Sequence, residues 1–171
     1  MEFSEVLAKR RSVRHLNERL DVTEAEVRAL LGAAVSAPSA GNIQPWRFFV
    51  LRSVASRDRL AEAVRQRWAA KAPVVIVVCR DPRPCQARFG DRGADLYSIQ
   101  DTAAAVENIL LATVDLGLAS CWVGAFDPRA VAEVLGVSAP VEPVAILPIG
   151  HSAESAGRPA RRPLQEVVTW L

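Results

Sequence analysis

The sequence predicts a mixed helix-and-strand domain, α+β or α/β, spanning residues 1–171, and three observations carry that reading. Residues 74–79, Val-Val-Ile-Val-Val-Cys, are β-branched or apolar at every position, as in a strand buried on both faces. Residues 95–116 form a long stretch, apolar on several sides, that has helical spacing and needs cover inside the domain or at a subunit interface. Helical patterns come first, and strands separated by helices follow.

The remaining elements follow in order. Residues 3–10 read as a short helix on the spacing of Phe3, Val6 and Leu7. Thr23-Glu24-Ala25-Glu26 resembles a capping box, and Val27, Leu30, Leu31 and Ala34 continue the helix toward Pro38. Trp46–Leu51 reads as a buried strand. Residues 57–70 read as a third helix stopped near Pro73. Residues 81–92, with two prolines and Gly90, read as a polar loop, and Gly117 caps the long helix. Residues 120–126 read as a short strand, Asp127 caps a helix from Pro128 to near Gly136, and 144–149 is a final core strand. Residues 164–171 form a tail carrying Trp170.

Composition narrows the function. Half of the residues are hydrophobic, 23% are charged and the net charge is +2, so no polyelectrolyte signal points to nucleic acid. Lys9 and Lys71 are the only lysines; the positive charge is otherwise arginine, whose planar fork suits phosphate. Cys79, Cys85 and Cys121 show no CxxC spacing, and His15 and His151 show no metal-ligand spacing. No apolar run approaches the roughly 20 residues of a membrane span. The acidic N-terminus lacks the pattern of a signal peptide, so a cytoplasmic location is expected.

Four segments can carry chemistry. In Arg10-Arg11-Ser12-Val13-Arg14, guanidinium forks and a hydroxyl can satisfy a phosphate dianion, although a solvated basic helix end has the same composition. Residues 37–48 combine small residues, Gly41, and the amides of Asn42 and Gln44, which can meet the polar edge of a flat ligand. Residues 117–127 place Gly124 where a backbone N–H can be exposed; Cys121 has no histidine near it in sequence and reads as structural. Arg158, Arg161 and Arg162 form a second basic cluster. There is no GxGxxG, GxxxxGK[ST], GxSxG or HExxH, and no paired carboxylates stand out. Basic clusters, amides and glycines without an acid, base or nucleophile suggest that a cofactor does the chemistry.

Taken in order, these segments, with Ile99-Gln100-Asp101-Thr102-Ala103-Ala104-Ala105, resemble the nitroreductase family of FMN-dependent oxidoreductases over nearly the whole chain. The resemblance implies an α+β fold with a mixed, mainly antiparallel sheet flanked by helices, in an intertwined homodimer with FMN at the interface. It implies that Arg10, Arg11, Ser12 and Arg14 hold the phosphate and ribityl end, with Arg14 also the first candidate for electrostatic support near N1. Pro38, Ser39, Ala40, Asn42 and Gln44 would reach the flavin from the other subunit. Backbone groups of Trp122, Val123 and Gly124 would face the ring near N5. The helix 95–116 would build the dimer core, and the Trp170 tail would lie against the partner.

The sequence departs from the family pattern in three places. The basic-x-arginine spacing near the C-terminus is replaced by Arg158, Pro159, Arg161 and Arg162, so the second half of the phosphate grip rests on Arg158, Arg161 or Arg162. Near N1 and O2, Arg67 with Gln66 beside it is the nearest match. The lid segment is shortened to about residues 79–95. The implied activity is ping-pong reduction of electron-poor small molecules, nitroaromatics and quinones, by NADH or NADPH, with no metal and no catalytic side chain. The rivals are a flavin-fragmenting, dehalogenating or dehydrogenating relative, and a non-enzymatic flavin-binding module.

Overall fold

The computed structural model describes residues 1–171 except Ala156 and Arg158. The valine-rich run is the centre of the fold. It forms β2 (Val74–Arg80), paired antiparallel with β1 (Trp46–Leu51) on one side and β4 (Glu142–Gly150) on the other. The short β3 (Ala119–Ser120) lies beyond β4, giving the order β1-β2-β4-β3. Side chains alternate across a strand. Val74, Ile76 and Val78 therefore enter one core, with Leu30 of α2 (Glu24–Val35) and Val106 and Ile109 of α5 (Ser98–Asp115). Val75, Val77 and Cys79 enter the other, with Leu60 of α3 (Val54–Ala63) and Val131 of α6 (Pro128–Leu135). All of these strand residues are 0% exposed, and each such side chain stabilises the fold by about 1.5–3 kcal/mol.

Several boundaries differ from expectation, each for a local reason. The sheet is antiparallel at every described pairing rather than mixed. The helix between β1 and β2 makes no parallel crossover; α3 and a 3₁₀ turn at Arg67–Lys71 return the chain alongside β1 in the opposite direction. The third helix starts earlier than expected, where Ser53 accepts from the Ser56 N–H, and ends at Ala63 because Val64 is extended and buried. Residues 81–92 are largely helical: α4 (Arg83–Arg92) follows Pro82 and has Pro84 in its first turn, where proline is tolerated. Gly90, at φ 63°, interrupts it before a π-helical turn at Gly93–Tyr97 leads into α5. A Cβ on Gly93 would collide with the Cys85 carbonyl, so glycine sets this close approach.

The long helix is otherwise as expected. Its buried positions, Thr102, Ala105, Val106, Ile109, Leu110 and Thr113, recur at helical spacing. Gly117 ends it at φ 72°, with Leu118 N–H donating to the Thr113 carbonyl and Gly117 N–H to Val114. Beside it lies α1 (Phe3–Lys9), tied by the N-terminal ammonium to Asp115 at 2.7 Å. Of α1 only Val6 is buried; Phe3 and Leu7 are exposed. The expected strand at 120–126 reduces to Ala119–Ser120 and a separate bridge between Val123 and Ile146.

Candidate functional site

After α1 the chain runs extended along the edge of the sheet. Val13 N–H donates to the Ser120 carbonyl at 2.9 Å, Leu16 bridges to Ser152, and Asn17 N–H donates to the His151 carbonyl at 2.8 Å. Extended backbone alternates its side chains, so Val13 is buried while Ser12 and Arg14 face outward. The basic run is thereby divided. Lys9, Arg10 and Arg11 line a cavity of about 240 Å³ with Leu110 and Val114 of α5, Leu118 and Ser120. Arg11 Nε and Ser120 Oγ are buried there without a hydrogen-bond partner among the described residues. A buried polar group left unpaired costs about 1–3 kcal/mol, more for a charged one, and an anion in this cavity would remove that cost.

Arg14 instead lines a smaller cavity of about 170 Å³ with His15, Trp68, Lys71 and Ala72. Arg67 lines an adjoining hollow with Arg57 and Asp58, and the two spaces share Glu18 and Lys71, which pair at 3.8 Å. Gln66 is half-buried, and its carbonyl accepts from Ala69 N–H. Glu154 clasps the end of the run: it accepts from Arg14 N–H at 3.0 Å and pairs with His15 Nδ1 at 2.5 Å. The His15 hydrogen bond, then those of the Arg14 and His15 amides, hold the Glu154 carboxyl down at about 2.

The 38–44 segment is built differently. Gly41, Asn42 and Gln44 all have φ near 57°, in the left-handed region that a glutamine seldom occupies. Hydrogen bonds hold this geometry. Gln44 N–H donates to Ser39 Oγ at 3.0 Å, Asn42 N–H to the Ser39 carbonyl at 2.9 Å, and Ala40 N–H to Asp101 Oδ1 at 2.9 Å. Arg88 Nη1 donates to the Gly41 carbonyl at 2.7 Å, and a Cβ on Gly41 would sit 2.6 Å from that nitrogen. Asp101 is buried with Oδ2 unpaired among the described residues; burial pushes its carboxyl upward, opposed by the Ala40 N–H. Pro38, Asn42 and Gln44 are exposed, and Ser39 and Ala40 partly so. Backbone strain of this kind persists only where the surroundings over-determine it, and it gathers at ligand sites.

The third expected group is only partly available. Val123 N–H donates to the Ile146 carbonyl at 2.9 Å and its own carbonyl accepts from Ile146 N–H at 3.0 Å, so its N–H is already engaged within the chain. Trp122 and Gly124 are exposed on either side of it. In the tail, Arg161 donates to the carbonyls of Pro159 and Ala160, and Arg162 pairs with Glu166 at 3.1 Å. Neither bonds to the N-terminal run within one chain, and Arg158 lies outside the described residues.

Other chemistries lack their groups. Burial pushes the Cys79 thiol up to about 12 and raises Cys85, leaving both protonated and poor nucleophiles. Cys121 is buried too. No group of three metal-ligating side chains occurs among the described residues, and no described helix is long and apolar enough to cross a membrane. Ser120, Arg88 and Glu154 were not singled out from the sequence. Arg88 and Glu154 act from distant segments without a motif of their own, whereas Ser120 and Asp101 lie within segments 117–127 and 99–105.

Comparison with known proteins identifies the family. A family model described as "Nitroreductase family" matches residues 7–71 and 61–151. An Archaeoglobus fulgidus protein, provisionally named NADH dehydrogenase/NAD(P)H nitroreductase, is 34% identical over 156 residues, 88% of this chain and 85% of the relative. A Thermus thermophilus protein named NADH dehydrogenase is 32% identical over 190 residues, 95% of this chain and 92% of the relative. A protein of Exiguobacterium sibiricum, provisionally described as a nitroreductase and solved in complex with FMN, has the same fold. Its TM-score is 0.92 over 100% of this chain and 98% of that one, at 20% identity. The matched range takes in Arg10–Arg14, the strained loop and all of α5, and the chain belongs to the nitroreductase family.

Proposed function

We propose that this chain is an FMN-dependent NAD(P)H oxidoreductase that reduces electron-poor acceptors, nitroaromatics and quinones, by ping-pong exchange at a flavin shared between two copies. The observation that carries the reading is the basic cavity beside α5. It holds Lys9, Arg10 and Arg11, and two buried polar atoms, Arg11 Nε and Ser120 Oγ, that have no partner among the described residues. A phosphate monoester fits that donor set, because it is dianionic near neutrality and accepts several charge-assisted hydrogen bonds. When bound, FMN supplies the redox chemistry, taking hydride from the nicotinamide and passing two electrons to the acceptor.

The chain's own work is then binding and orientation. Arg10 and Arg11 would neutralise the phosphate, and the Ser12 hydroxyl would donate a hydrogen bond to it. Arg14 and Arg67, on either side of the Glu18–Lys71 pair, supply positive charge toward the ring, with Gln66 next to them. Asn42 and Gln44, held in fixed left-handed geometry, offer amides to a ring edge, and Pro38, Ser39 and Ala40 form the small-residue surface around them. Backbone groups of Trp122, Val123 and Gly124 would face the ring near N5, with the Val123 N–H already engaged by Ile146. Arg161, Arg162 or Arg158 complete the phosphate grip.

A homodimer is favoured by what the single chain leaves uncovered. Phe3 and Leu7 on α1, Ile99 on α5, and Leu164, Val167 and Trp170 in the tail are exposed, an apolar burden unusual for a monomer. Purified protein supplied with FMN should be yellow, and NADH or NADPH should bleach its visible absorbance under anaerobic conditions. Protein that takes up no FMN overturns the reading. Protein that binds FMN but oxidises no NAD(P)H with menadione or a nitrofuran is a binding module instead.

A further inference from the structure

We infer that Glu154 is an internal anion that fills a second phosphate seat at the end of the basic run, at Arg14 and His15, and so directs the cofactor's phosphate to the Arg10–Arg11 cavity. The inference rests on the reading of that cavity as the phosphate site.

The basic run offers donors at two places. One is the cavity of about 240 Å³ lined by Lys9, Arg10, Arg11 and Ser120. The other is the far end of the run. There the Arg14 and His15 N–H groups and His15 Nδ1 converge on one point. Arg14, His15 and Lys71 also line the adjacent cavity of about 170 Å³. Two successive amides, an imidazole, a guanidinium and an ammonium form a donor set that suits a phosphate as well as the first does.

The second place is already filled. Glu154 Oε1 accepts from Arg14 N–H at 3.0 Å and from His15 N–H at 3.4 Å, and Oε2 pairs with His15 Nδ1 at 2.5 Å. The converging donors thus end on one carboxylate, whose side chain is only 27% exposed. These are the bonds that a bound oxyanion would make. The His15 hydrogen bond, then that of the Arg14 amide, hold the Glu154 carboxyl at about 2, so it stays charged where a phosphate is dianionic. The Arg14 guanidinium takes no part in this contact, which uses its backbone N–H.

The local chain aims the carboxylate. Ser152 Oγ donates to the Glu154 carbonyl at 2.7 Å and accepts from Glu154 N–H at 3.3 Å, which folds 152–154 into a tight turn. Ala153 N–H donates to the His15 carbonyl at 2.9 Å, and Leu16 bridges to Ser152, so the turn is fixed against the run itself. Ser152 lines the first cavity, while Glu154, two residues on, occupies the second seat. One short segment therefore meets both places and treats them differently.

The consequence is electrostatic. A dianion at the Arg14 end must displace a carboxylate or lie beside one, and like charges held together lose affinity. No carboxylate lines the first cavity, where Arg11 Nε and Ser120 Oγ have no partner among the described residues. Arg10 Nε does meet Glu107, but at 3.8 Å. The phosphate therefore goes to the first cavity, and the Arg14 guanidinium is left for the ring.

The test uses the full chain, its Glu154→Ala variant and, because a smaller side chain can loosen the turn, Glu154→Gln. Inorganic phosphate is titrated into each, first without FMN and then with FMN bound, and amide chemical shifts report where it binds. In the parent, phosphate should move the amides of Arg10–Ser12 and Leu118–Ser120 and leave those of Arg14 and His15 still, and FMN should displace it. In Glu154→Ala the Arg14 and His15 amides should respond as well, with affinity there at least about tenfold above the parent, and one phosphate should stay bound beside FMN. Glu154→Gln, which keeps the size and loses the charge, should open the same seat less fully. Arg14 and His15 amides that respond to phosphate equally in the parent and both variants, or in none of the three, overturn the inference. A parent that takes phosphate and FMN at Arg10–Ser12, with variants that gain no second seat, loses this inference alone. A parent that binds neither loses the functional reading with it.

Discussion

The two ends of α5 carry the two halves of the candidate site, and they are built in opposite ways. Asp101 lies under the 38–44 loop and Leu110 under the basic cavity, roughly 14 Å further along the helix axis. At the Asp101 end the chain completes its own structure: strained residues are held by hydrogen bonds to Ser39 and Asp101 and from Arg88. At the Leu110 end it does not. Arg11 Nε and Ser120 Oγ, of residues lining the same cavity, have no partner among the described residues, Ser12 is exposed, and Arg161 and Arg162 bond within the tail. The first end is organised before any ligand arrives; the second, on the proposed reading, would obtain its missing interactions from an anion. Substitutions at the first should therefore appear in the stability of the ligand-free protein, and substitutions at the second in ligand affinity.

The largest expected effect lies at the unfinished end. Removing the partly buried guanidinium in Arg11→Ala should weaken FMN binding by about 10- to 100-fold, the scale of a hydrogen bond to a charged group. Ligand-free thermal stability should stay level or rise, since an unpaired buried donor is removed. Flavin fluorescence titration and thermal unfolding without FMN measure both; a large loss of ligand-free stability would break the comparison.

Next comes the finished end. Asp101→Ala removes the acceptor of Ala40 N–H and should cost about 1–3 kcal/mol in urea unfolding of the ligand-free chain. Its pH dependence sharpens the point. Burial raises the Asp101 carboxyl above its ordinary 3.8, so the unfolded chain ionises first as pH rises, and this group's contribution becomes increasingly destabilising. Asp101→Asn abolishes that titration. Its stability relative to the parent should therefore improve as pH is raised above the ordinary carboxylate range, and a pH-independent difference would contradict the assignment.

Smaller effects separate the arginines. Arg14→Ala should weaken FMN retention several-fold, and Arg162→Ala less, because Arg162 is already paired with Glu166 on the surface, where such contacts carry little. Equal losses in equilibrium dialysis would remove the distinction. The smallest effect concerns Glu154. Its carboxyl is held down at about 2, so its clasp on Arg14 and His15 is fully present above the ordinary 4.5 and is lost as pH falls through about 2. The amide chemical shifts of Arg14 and His15 should follow that low midpoint, not an ordinary carboxylate one.

How much of this was legible in the sequence depended on how local the cause was. The central strand was readable because residues 74–79 are apolar at every position, and alternate ones face two different cores. Gly117, Asp127 and Gly136 announced their caps because capping is a property of a few adjacent residues. The helix α4 was missed because Pro82 and Pro84 read as loop residues, whereas at a helix start they are permitted. The pairing of the Val123 backbone was not legible because its partner, Ile146, is remote in sequence. The basic run was visible as a run, but its division between two cavities arises only when Val13 pairs with Ser120.

The central claim is that the basic cavity beside α5 receives the phosphate of FMN. Its most direct test is an equilibrium titration of the ligand-free chain with FMN and with riboflavin, which has no phosphate, carried out on the parent and on Arg11→Ala. The account predicts that the parent binds FMN much more tightly than riboflavin, and that Arg11→Ala loses most of this preference while keeping its affinity for riboflavin. A preference that is absent in the parent, or that survives intact in Arg11→Ala, would contradict it.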